Sequence, residues 1–312
     1  MLIATNNQVH ALVEGHEGAP PALVFSSSES ITALEEGWQV SAVAAGGEIA
    51  LLEGRQVRWL AAGIAEPIES LLLVGEEPLR LLVGTEGPHL YRLADEGRPA
   101  CRLESFAELE CRHKWHTPWG GPPAVRSLAR RGDWLYADIH VGSIVRSPDR
   151  GCSWEPVQPG INEDVHQVAT SAVLEERLYA NTAEAVYISE DRGRSWIHRD
   201  QGLATQYGRA IAVHPRDPDC LLASVSRGPG EEVEGRLYRS DDAGRTWTQV
   251  REGFPEITRA NIDTFQVIFS TGGTAWAAVE DTLYRSADRG VNWERVWQAP
   301  EPIRLLSCAC AD

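Results

Sequence analysis

The feature that most constrains the fold is a short pattern, S-x-D-x-G-x-x-W, that occurs four times without gaps. The four copies span residues 147–154, 189–196, 240–247 and 286–293. Their aspartates lie 42, 51 and 46 residues apart and are Asp149, Asp191, Asp242 and Asp288. Short strand-like runs such as LYR and TQV flank each copy. A repeat of this length with strands on both sides predicts an array of similar β units, in which the pattern joins two strands.

The residue types of the pattern are those of a tight turn. Serine and aspartate side chains accept hydrogen bonds from nearby backbone N–H groups and close a chain reversal. Glycine permits the positive φ that such a reversal needs. The tryptophan adds a large apolar side chain that can pack on a neighbouring unit. Because the four copies share one register, we interpret their aspartates as structural and not as catalytic.

The four copies resemble the Asp-box, or BNR repeat, of sialidases, sortilin-type receptors, xyloglucanases and photosystem assembly factors. The resemblance implies a β-propeller, with the box at the turn between the third and fourth strands of each blade. It does not imply sialidase activity, because this turn is shared by proteins of unrelated function. The arginine triad and tyrosine–glutamate nucleophile of sialidases find no match here, and sialidase rings have six blades, so a classical sialidase is disfavoured.

Counting strands predicts an all-β, seven-bladed propeller of four-stranded blades, in preference to six or eight blades. The four full boxes belong to blades 4 to 7, and a degenerate box at 93–100 keeps Asp95 and Gly97 but has Leu93 and Ala100 in place of serine and tryptophan. The N-terminal segment supplies only three strands. The C-terminal segment EPIRLLSCACA (301–311) mirrors EPIESLLLVG (66–75), which opens blade 3. We therefore expect the C-terminal strand to complete blade 1 and close a single domain over residues 1–312.

The amino-acid composition disfavours some classes of binding partner. The net charge is −16 and the chain has one lysine, so no basic run is present that would bind nucleic acid or an anionic membrane. No apolar run approaches the roughly 20 residues that span a bilayer. The N-terminus lacks the pattern of a signal peptide, so we expect a cytoplasmic protein. We also expect a monomer. The six cysteines form no C-x-x-C pair and are interpreted as free thiols.

Residues that the repeat does not require gather at the loops between blades and between the second and third strands of a blade. These loops open on one face, here called the top face. The segment CRHKWHTPWGGPP (111–123) is predicted to be an extended connection into blade 4. Over blades 4 to 7, the predicted ligand-binding residues are His116, Trp119, Arg126, Tyr207, Arg209 and Arg227. Blade 7 adds Asn261, Asp263 and Glu280.

Two classes of function remain open for this face. The first is a binding propeller whose ligand is a small molecule, a glycan or a protein. The alternative is a glycosidase-like hydrolase or lyase in which Asp138, Asp164 and His166 act as acid, base or nucleophile. A metal-dependent form of that enzyme would hold a divalent metal through His140, His166 and Asp164, since imidazole and carboxylate are suitable ligands. Of the two classes, binding is the preferred interpretation.

Overall fold

The computed structural model is a ring of seven four-stranded antiparallel sheets, which confirms the predicted all-β propeller and its blade number. The structure describes residues 1–13, 15, 19–94, 98–157, 159–230 and 232–309. In each blade, strand A is innermost and strand D is outermost. Within the described part of the chain, no helix is long and apolar enough to cross a membrane.

The strands follow one another blade by blade. Blades 1 and 2 contain β1 (Leu2–Ala4), β2 (Gln8–Ala11), β3 (Ala22–Ser26), β4 (Ile31–Glu35), β5 (Ser41–Ala45), β6 (Glu48–Glu53) and β7 (Gln56–Leu60). Blades 3 and 4 contain β8 (Ile68–Glu76), β9 (Leu79–Thr85), β10 (Leu90–Ala94), β11 (Cys101–Arg102), β12 (Val125–Arg131), β13 (Trp134–Ile139), β14 (Ser143–Ser147) and β15 (Glu155–Pro156). Blades 5 and 6 contain β16 (Val165–Thr170), β17 (Leu178–Thr182), β18 (Ala185–Ser189), β19 (Ile197–Arg199), β20 (Tyr207–His214), β21 (Asp217–Ser226), β22 (Arg236–Ser240) and β23 (Thr248–Gln249). Blade 7 contains β24 (Val267–Phe269), β25 (Ala275–Val279), β26 (Thr282–Ser286) and β27 (Glu294–Gln298), and the last strand is β28 (Leu305–Ser307).

The ring closes through the two ends of the chain, as predicted. Strand β28 pairs antiparallel with β1, and Leu306 lies opposite Ile3. Blade 1 therefore has the order β28-β1-β2-β3, with its innermost strand supplied by the C-terminal segment. This pairing removes an exposed strand edge near the ring axis.

The core consists of seven apolar clusters, one in each space between adjacent blades of the described chain. The cluster at the closure contains Ile3 and Leu306 of blade 1 and Trp276 of blade 7, all of them buried. Each blade thus buries both of its faces, which explains why strands such as AVYIS (185–189) are buried throughout and do not alternate between buried and exposed residues.

The four repeats form four nearly identical turns between the third and fourth strands of their blades. In the copy at 240–247, the Ser240 hydroxyl donates to Asp242 Oδ1 at 2.8 Å and accepts the Gly244 N–H at 2.8 Å. Asp242 also accepts the Thr246 N–H at 2.9 Å and the Thr246 hydroxyl at 2.6 Å. Ala243 and Gly244 both have positive φ, at 57° and 72°. The aspartate is therefore the centre of a closed hydrogen-bonded turn, as its interpretation as a structural residue requires.

The seventh residue of the repeat has a role that the pattern S-x-D-x-G-x-x-W does not contain. In each copy its polar side chain donates to the second oxygen of the aspartate at 2.6 Å. The four residues are Ser153, Ser195, Thr246 and Asn292. The common property of these residues is a short side chain with a donor, which sequence comparison of the four copies could have revealed.

The tryptophans of the repeat pack between their own blade and the preceding one. Trp154, Trp247 and Trp293 are buried members of three inter-blade clusters. Trp196 is only partly buried against the cluster of blades 4 and 5. In the degenerate box at 93–100, Leu93 is buried between blades 2 and 3, whereas Asp95 and Gly97 lie outside the described residues.

The long connection from blade 3 to blade 4, which the sequence predicts, is partly helical. A short α-helix, α1, spans Glu104–Ala107, and a 3-10 helix spans Glu110–Lys114. Buried Phe106 and Trp115 anchor these turns in the cluster between blades 3 and 4, and the Arg112 guanidinium lies 4.9 Å from the Trp115 ring. Helical turns form because their apolar side chains reach this core, a tertiary contact that local composition does not reveal.

Candidate functional site

The top face is shaped by a β-bulge near the start of strand A in blades 2 to 6. In four of these strands the register with strand B skips one residue, and in blade 6 it skips two, Arg209 and Ala210, against one residue of strand B. A bulge interrupts strand pairing and re-aims the side chain of the extra residue. The five residues at these positions are Thr32, Glu69, Arg126, His166 and Arg209. Because strands A of adjacent blades contact one another around the axis, their bulged side chains gather at one end of the ring.

Six predicted residues of blades 4 to 6 form one group, here called the top-face cluster. A guanidinium nitrogen of Arg126 lies 2.9 Å from His140 Nε2, and His140 Nε2 lies 3.9 Å from Asp164 Oδ1. His166 Nε2 lies 3.3 Å from the same Asp164 oxygen. The other two members pack beside this row. The cluster consists of Arg126, His140, Asp164, His166, Tyr207 and Arg209.

Two aromatic rings flank the cluster. The Tyr207 ring lies 4.9 Å from the His166 ring, and the Arg209 guanidinium lies 5.1 Å from the Tyr207 ring. On the other side, Trp119 lies 5.1 Å from the His140 ring and is 65% exposed. Trp119 therefore offers an open ring face directly beside the cluster, as the sequence predicts for a ligand contact.

The hydrogen bonds define where the protons of the two histidines lie. His140 Nε2 accepts from Arg126, and burial together with the Arg126 charge lowers the pKa of His140 to about 4. His166 Nδ1 donates to the Gly208 carbonyl. Burial lowers the pKa of His166, opposed by Asp164 and assisted by the charges of Arg209 and Arg126. Both imidazoles are therefore neutral at pH 7, and the lone pair of His166 Nε2 faces the Asp164 carboxylate.

Several polar atoms of the cluster are buried without a hydrogen-bond partner among the described residues. On the donor side these are Arg126 Nη1 and Arg209 Nε. On the acceptor side they are Asp164 Oδ1 and His166 Nε2, which contact each other without hydrogen-bond geometry. Buried polar groups are almost always paired, so unpaired donors and acceptors side by side are typical of a site completed by a ligand.

Asp138 lies beneath the cluster rather than in it. It is fully buried, and its Oδ2 accepts a hydrogen bond from the Ser127 hydroxyl. Burial raises the pKa of Asp138 to about 7, although Ser127 and the Arg126 charge act in the opposite sense. The same Ser127 oxygen accepts the Val168 N–H at 3.0 Å, which joins strand A of blade 4 to strand A of blade 5. Asp138 is thus placed to support Arg126 and the inner strands.

Two of the predicted ligand-binding residues have their contacts outside the cluster. His116 is exposed and its Nδ1 donates to the Lys114 carbonyl at 3.0 Å. Arg227 is 63% exposed at its side chain and forms an ion pair with Glu234. From blade 7, Asp263 does reach the cluster, 3.6 Å from Arg209. Glu69 of blade 3, which sequence reasoning missed, lies close enough for the Arg126 charge to act on its pKa.

The predicted metal ligands His140, His166 and Asp164 are brought together, but with a cation beside them. The Arg126 guanidinium donates to the Nε2 atom that His140 would use for coordination. Within the described ranges, no group of three or more His, Cys, Asp or Glu residues is arranged to hold a metal ion. The arrangement of donors around this row suits an anionic ligand group better than a metal.

A cavity of about 470 Å³ lies on the opposite face, between blades 6 and 7. His214, Arg216, Asp217 and Arg289 line it. Arg289 is paired with Asp217, and Arg216 donates to the Gly272 carbonyl. Because these charged groups already have protein partners, we place the candidate site at the top-face cluster and not in this cavity.

The seven-bladed fold and a family match confirm that the chain is similar to propellers of the BNR-repeat type, as the sequence resemblance implied. The family model of sortilin (neurotensin receptor 3) matches residues 142–274, which cover the end of blade 4, blades 5 and 6 and the start of blade 7. No curated protein gives a significant sequence match to this chain.

Solved propellers of several kinds have a similar structure. A structure of YCF48 bound to a D1 peptide is 15% identical with a TM-score of 0.61, over 88% of this chain and 84% of that chain. The GH74 xyloglucanase from Xanthomonas campestris is 18% identical with a TM-score of 0.62, and the match covers 86% of this chain but 47% of the xyloglucanase. A chain of the mitotic checkpoint complex is 13% identical with a TM-score of 0.64, over 98% and 86% of the two chains. At these identities the similarity shows the fold alone.

Proposed function

We propose that this chain is a binding propeller that holds its ligand at the top-face cluster. The observation that carries the proposal is the set of unpaired buried donors and acceptors contributed by three consecutive blades. Burying such groups costs about 1–3 kcal/mol each unless a partner is supplied. A ligand that pairs with Arg126, Arg209, Asp164 and His166 supplies those partners.

The surroundings of the cluster support binding. Trp119 is exposed beside His140, and exposed aromatic side chains with neighbouring arginines are typical of binding hot spots. The top face of a propeller also collects loops from every blade, so one ligand can contact several of them. Among similar propellers, YCF48 was solved with a D1 peptide and another forms part of the mitotic checkpoint complex.

Burial of Asp138 favours binding over glycoside hydrolysis. That reaction requires two carboxyl groups that flank the scissile bond. Asp138 has no exposed surface and is bonded to Ser127, whereas the Asp164 side chain is 22% exposed. The pair Asp138 and Asp164 therefore does not present two carboxyl groups to one substrate.

The test is to probe the full chain on a peptide array and a glycan array. The variant is the double substitution Arg126→Gln and Arg209→Gln, and the matched control is Arg227→Gln, a top-face arginine already paired with Glu234. We expect the signals of the wild-type chain to fall at least about tenfold in the double variant and to persist in the control.

Thermal unfolding of each variant shows whether it is folded, and Arg209→Gln alone replaces the double variant if that fails to fold. Signals that persist in a folded cluster variant would place the binding surface elsewhere and overturn the proposal. Release of products from an arrayed glycan, abolished by Asp164→Asn, would instead establish the hydrolase alternative.

A further inference from the structure

The cluster combines unpaired donors and unpaired acceptors within a small distance. Arg126 and Asp164 Oδ1 are joined through His140 Nε2, which lies 2.9 Å from the arginine nitrogen and 3.9 Å from the carboxylate oxygen. The two groups are therefore no more than about 7 Å apart. This short distance suits a compact ligand whose two functional groups are joined by one carbon atom, with one group hydrogen-bonded to each end.

The donor side requires an anionic acceptor. Arg126 has one nitrogen bonded to His140 and another, Nη1, buried without a partner. Arg209 is close enough for its charge to lower the pKa of Arg126, in addition to the effect of burial. The two guanidinium groups therefore repel each other, and a carboxylate that accepts from both removes that repulsion.

The acceptor side requires a donor. His166 holds its one proton on Nδ1 for the Gly208 carbonyl, so Nε2 can only accept. Asp164 Oδ1, 3.3 Å away, is also an acceptor. Although burial opposes it, contact with His166 and the charge of Arg126 hold the pKa of Asp164 below its ordinary value, so the carboxylate carries no proton at pH 7. Two facing acceptors are stabilised when one group donates to both.

The charges of the cluster favour an ammonium over a hydroxyl as the group that donates to Asp164 and His166. The positive charges of Arg126 and Arg209 face the carboxylates of Asp164 and of Asp263, which lies 3.6 Å from Arg209. A ligand that carries both signs of charge matches both sides, and an ammonium beside Asp164 gains charge-assisted hydrogen bonds that a hydroxyl does not.

We propose that the top-face cluster binds a free α-amino acid as its zwitterion. The α-carboxylate lies between Arg126 and Arg209, and the α-ammonium donates to Asp164 and His166. The exposed ring of Trp119 favours an apolar or aromatic side chain. The inference rests on the proposed function, since it names the ligand of the same site.

Titration calorimetry of the full chain with a matched series of small molecules tests whether binding requires the carboxylate and whether it requires the ammonium. The probes are L-phenylalanine, L-phenylalaninamide, which lacks the carboxylate, and L-3-phenyllactate, which carries a hydroxyl in place of the ammonium. We expect L-phenylalanine to bind, and the two analogues to bind at least about tenfold more weakly, because each leaves buried charged groups unpaired.

Single substitutions test which residues bind the carboxylate and which bind the ammonium. Arg126→Gln and Asp164→Asn should each weaken L-phenylalanine binding at least tenfold, while Arg227→Gln should leave it unchanged. Asp164→Asn should also reduce the preference for L-phenylalanine over L-3-phenyllactate, an effect that general damage to the fold would not produce. The thermal unfolding of each variant is measured in parallel, and Arg209→Gln replaces Arg126→Gln if the latter does not fold.

Equal or tighter binding of L-3-phenyllactate would overturn the inference in favour of a hydroxy acid. Binding of the amide that survives Arg126→Gln would overturn the placement of the carboxylate. If L-phenylalanine does not bind while the array signals still depend on Arg126 and Arg209, this inference fails and the proposed function stands. Loss of both would refute the site itself.

Discussion

The tryptophan that ends each repeat should stabilise the ring in proportion to its burial, and two of the four copies make a matched pair. Trp247 is 4% exposed in the cluster between blades 5 and 6, and its Nε1 donates to the Arg199 carbonyl at 3.1 Å. Trp196 occupies the same place in its own repeat but is only partly buried. Its Nε1 has no hydrogen-bond partner within the described residues.

The expected magnitudes follow from these contacts. Removing a fully buried tryptophan costs about 3–5 kcal/mol, and losing the bond to the Arg199 carbonyl adds about 1 kcal/mol. Trp247→Ala should therefore lower the free energy of unfolding by about 5 kcal/mol. Trp196→Ala leaves a smaller cavity open to solvent and breaks no hydrogen bond, so we expect a loss of about 2 kcal/mol.

Urea unfolding followed by far-ultraviolet circular dichroism and by fluorescence measures both losses, and coincident transitions justify a single free energy. The difference between the variants should be about 3 kcal/mol. Equal losses for the two variants, or a loss below about 1 kcal/mol for Trp247→Ala, would refute the view that the repeat stabilises the ring by wedging its tryptophan between blades.

Three further predictions concern the turn, a close backbone approach and the buried acid. Asp242→Ala removes a centre that accepts from Ser240 and Thr246, and should lower the urea midpoint by an amount equivalent to about 2 kcal/mol; an unchanged midpoint would contradict the structural role of the repeat. Gly253→Ala should destabilise the protein more than Gly54→Ala, although both glycines have positive φ. An added Cβ would lie 1.8 Å from a backbone oxygen at Gly253, whereas it would meet nothing within 4 Å at Gly54. Equal Tm values for the two variants would contradict this prediction. Asp138→Asn should remove a pH dependence of the free energy of unfolding, because the pKa of Asp138 rises from about 4 in the unfolded chain to about 7 in the folded one. The stabilisation by the protonated Asp138 is complete below pH 4 and is lost by about pH 8. The free energy of unfolding of the wild type should therefore fall by about 4 kcal/mol over this range. A wild-type free energy of unfolding that does not fall relative to the variant over this range would exclude the shift.

The architecture could be predicted from the sequence because the repeat marks the same turn in four blades. Each copy of the turn identifies the strand before it and the strand after it. The strand spacing found in this way can then be applied to the segments that lack a full box, which gives the number of blades. The closing strand β28 was recognised because Pro302 and Ile303 repeat the start of blade 3. The helical turns at Glu104–Ala107 and Glu110–Lys114 were missed, since they depend on Phe106 and Trp115 reaching a cluster built by distant strands.

The candidate site was predictable as a set of residues but not as a geometry. Arg126, His166 and Arg209 stand out because the repeat does not require them, and the structure does bring them together. The β-bulges that turn these side chains toward one end of the ring leave no mark in a single sequence, because the register of two strands is a property of the pair. For the same reason the sequence did not separate Arg227, paired with Glu234, from the arginines of the cluster.

The most direct test of the central claim is a crystal structure of the full chain with the strongest ligand from the arrays. We expect ligand density on the top face, with hydrogen bonds of about 2.7–3.2 Å to Arg126 and to Asp164 or His166. Density for the ligand on the face that carries the box turns, or along the outer strands of the blades, would contradict it.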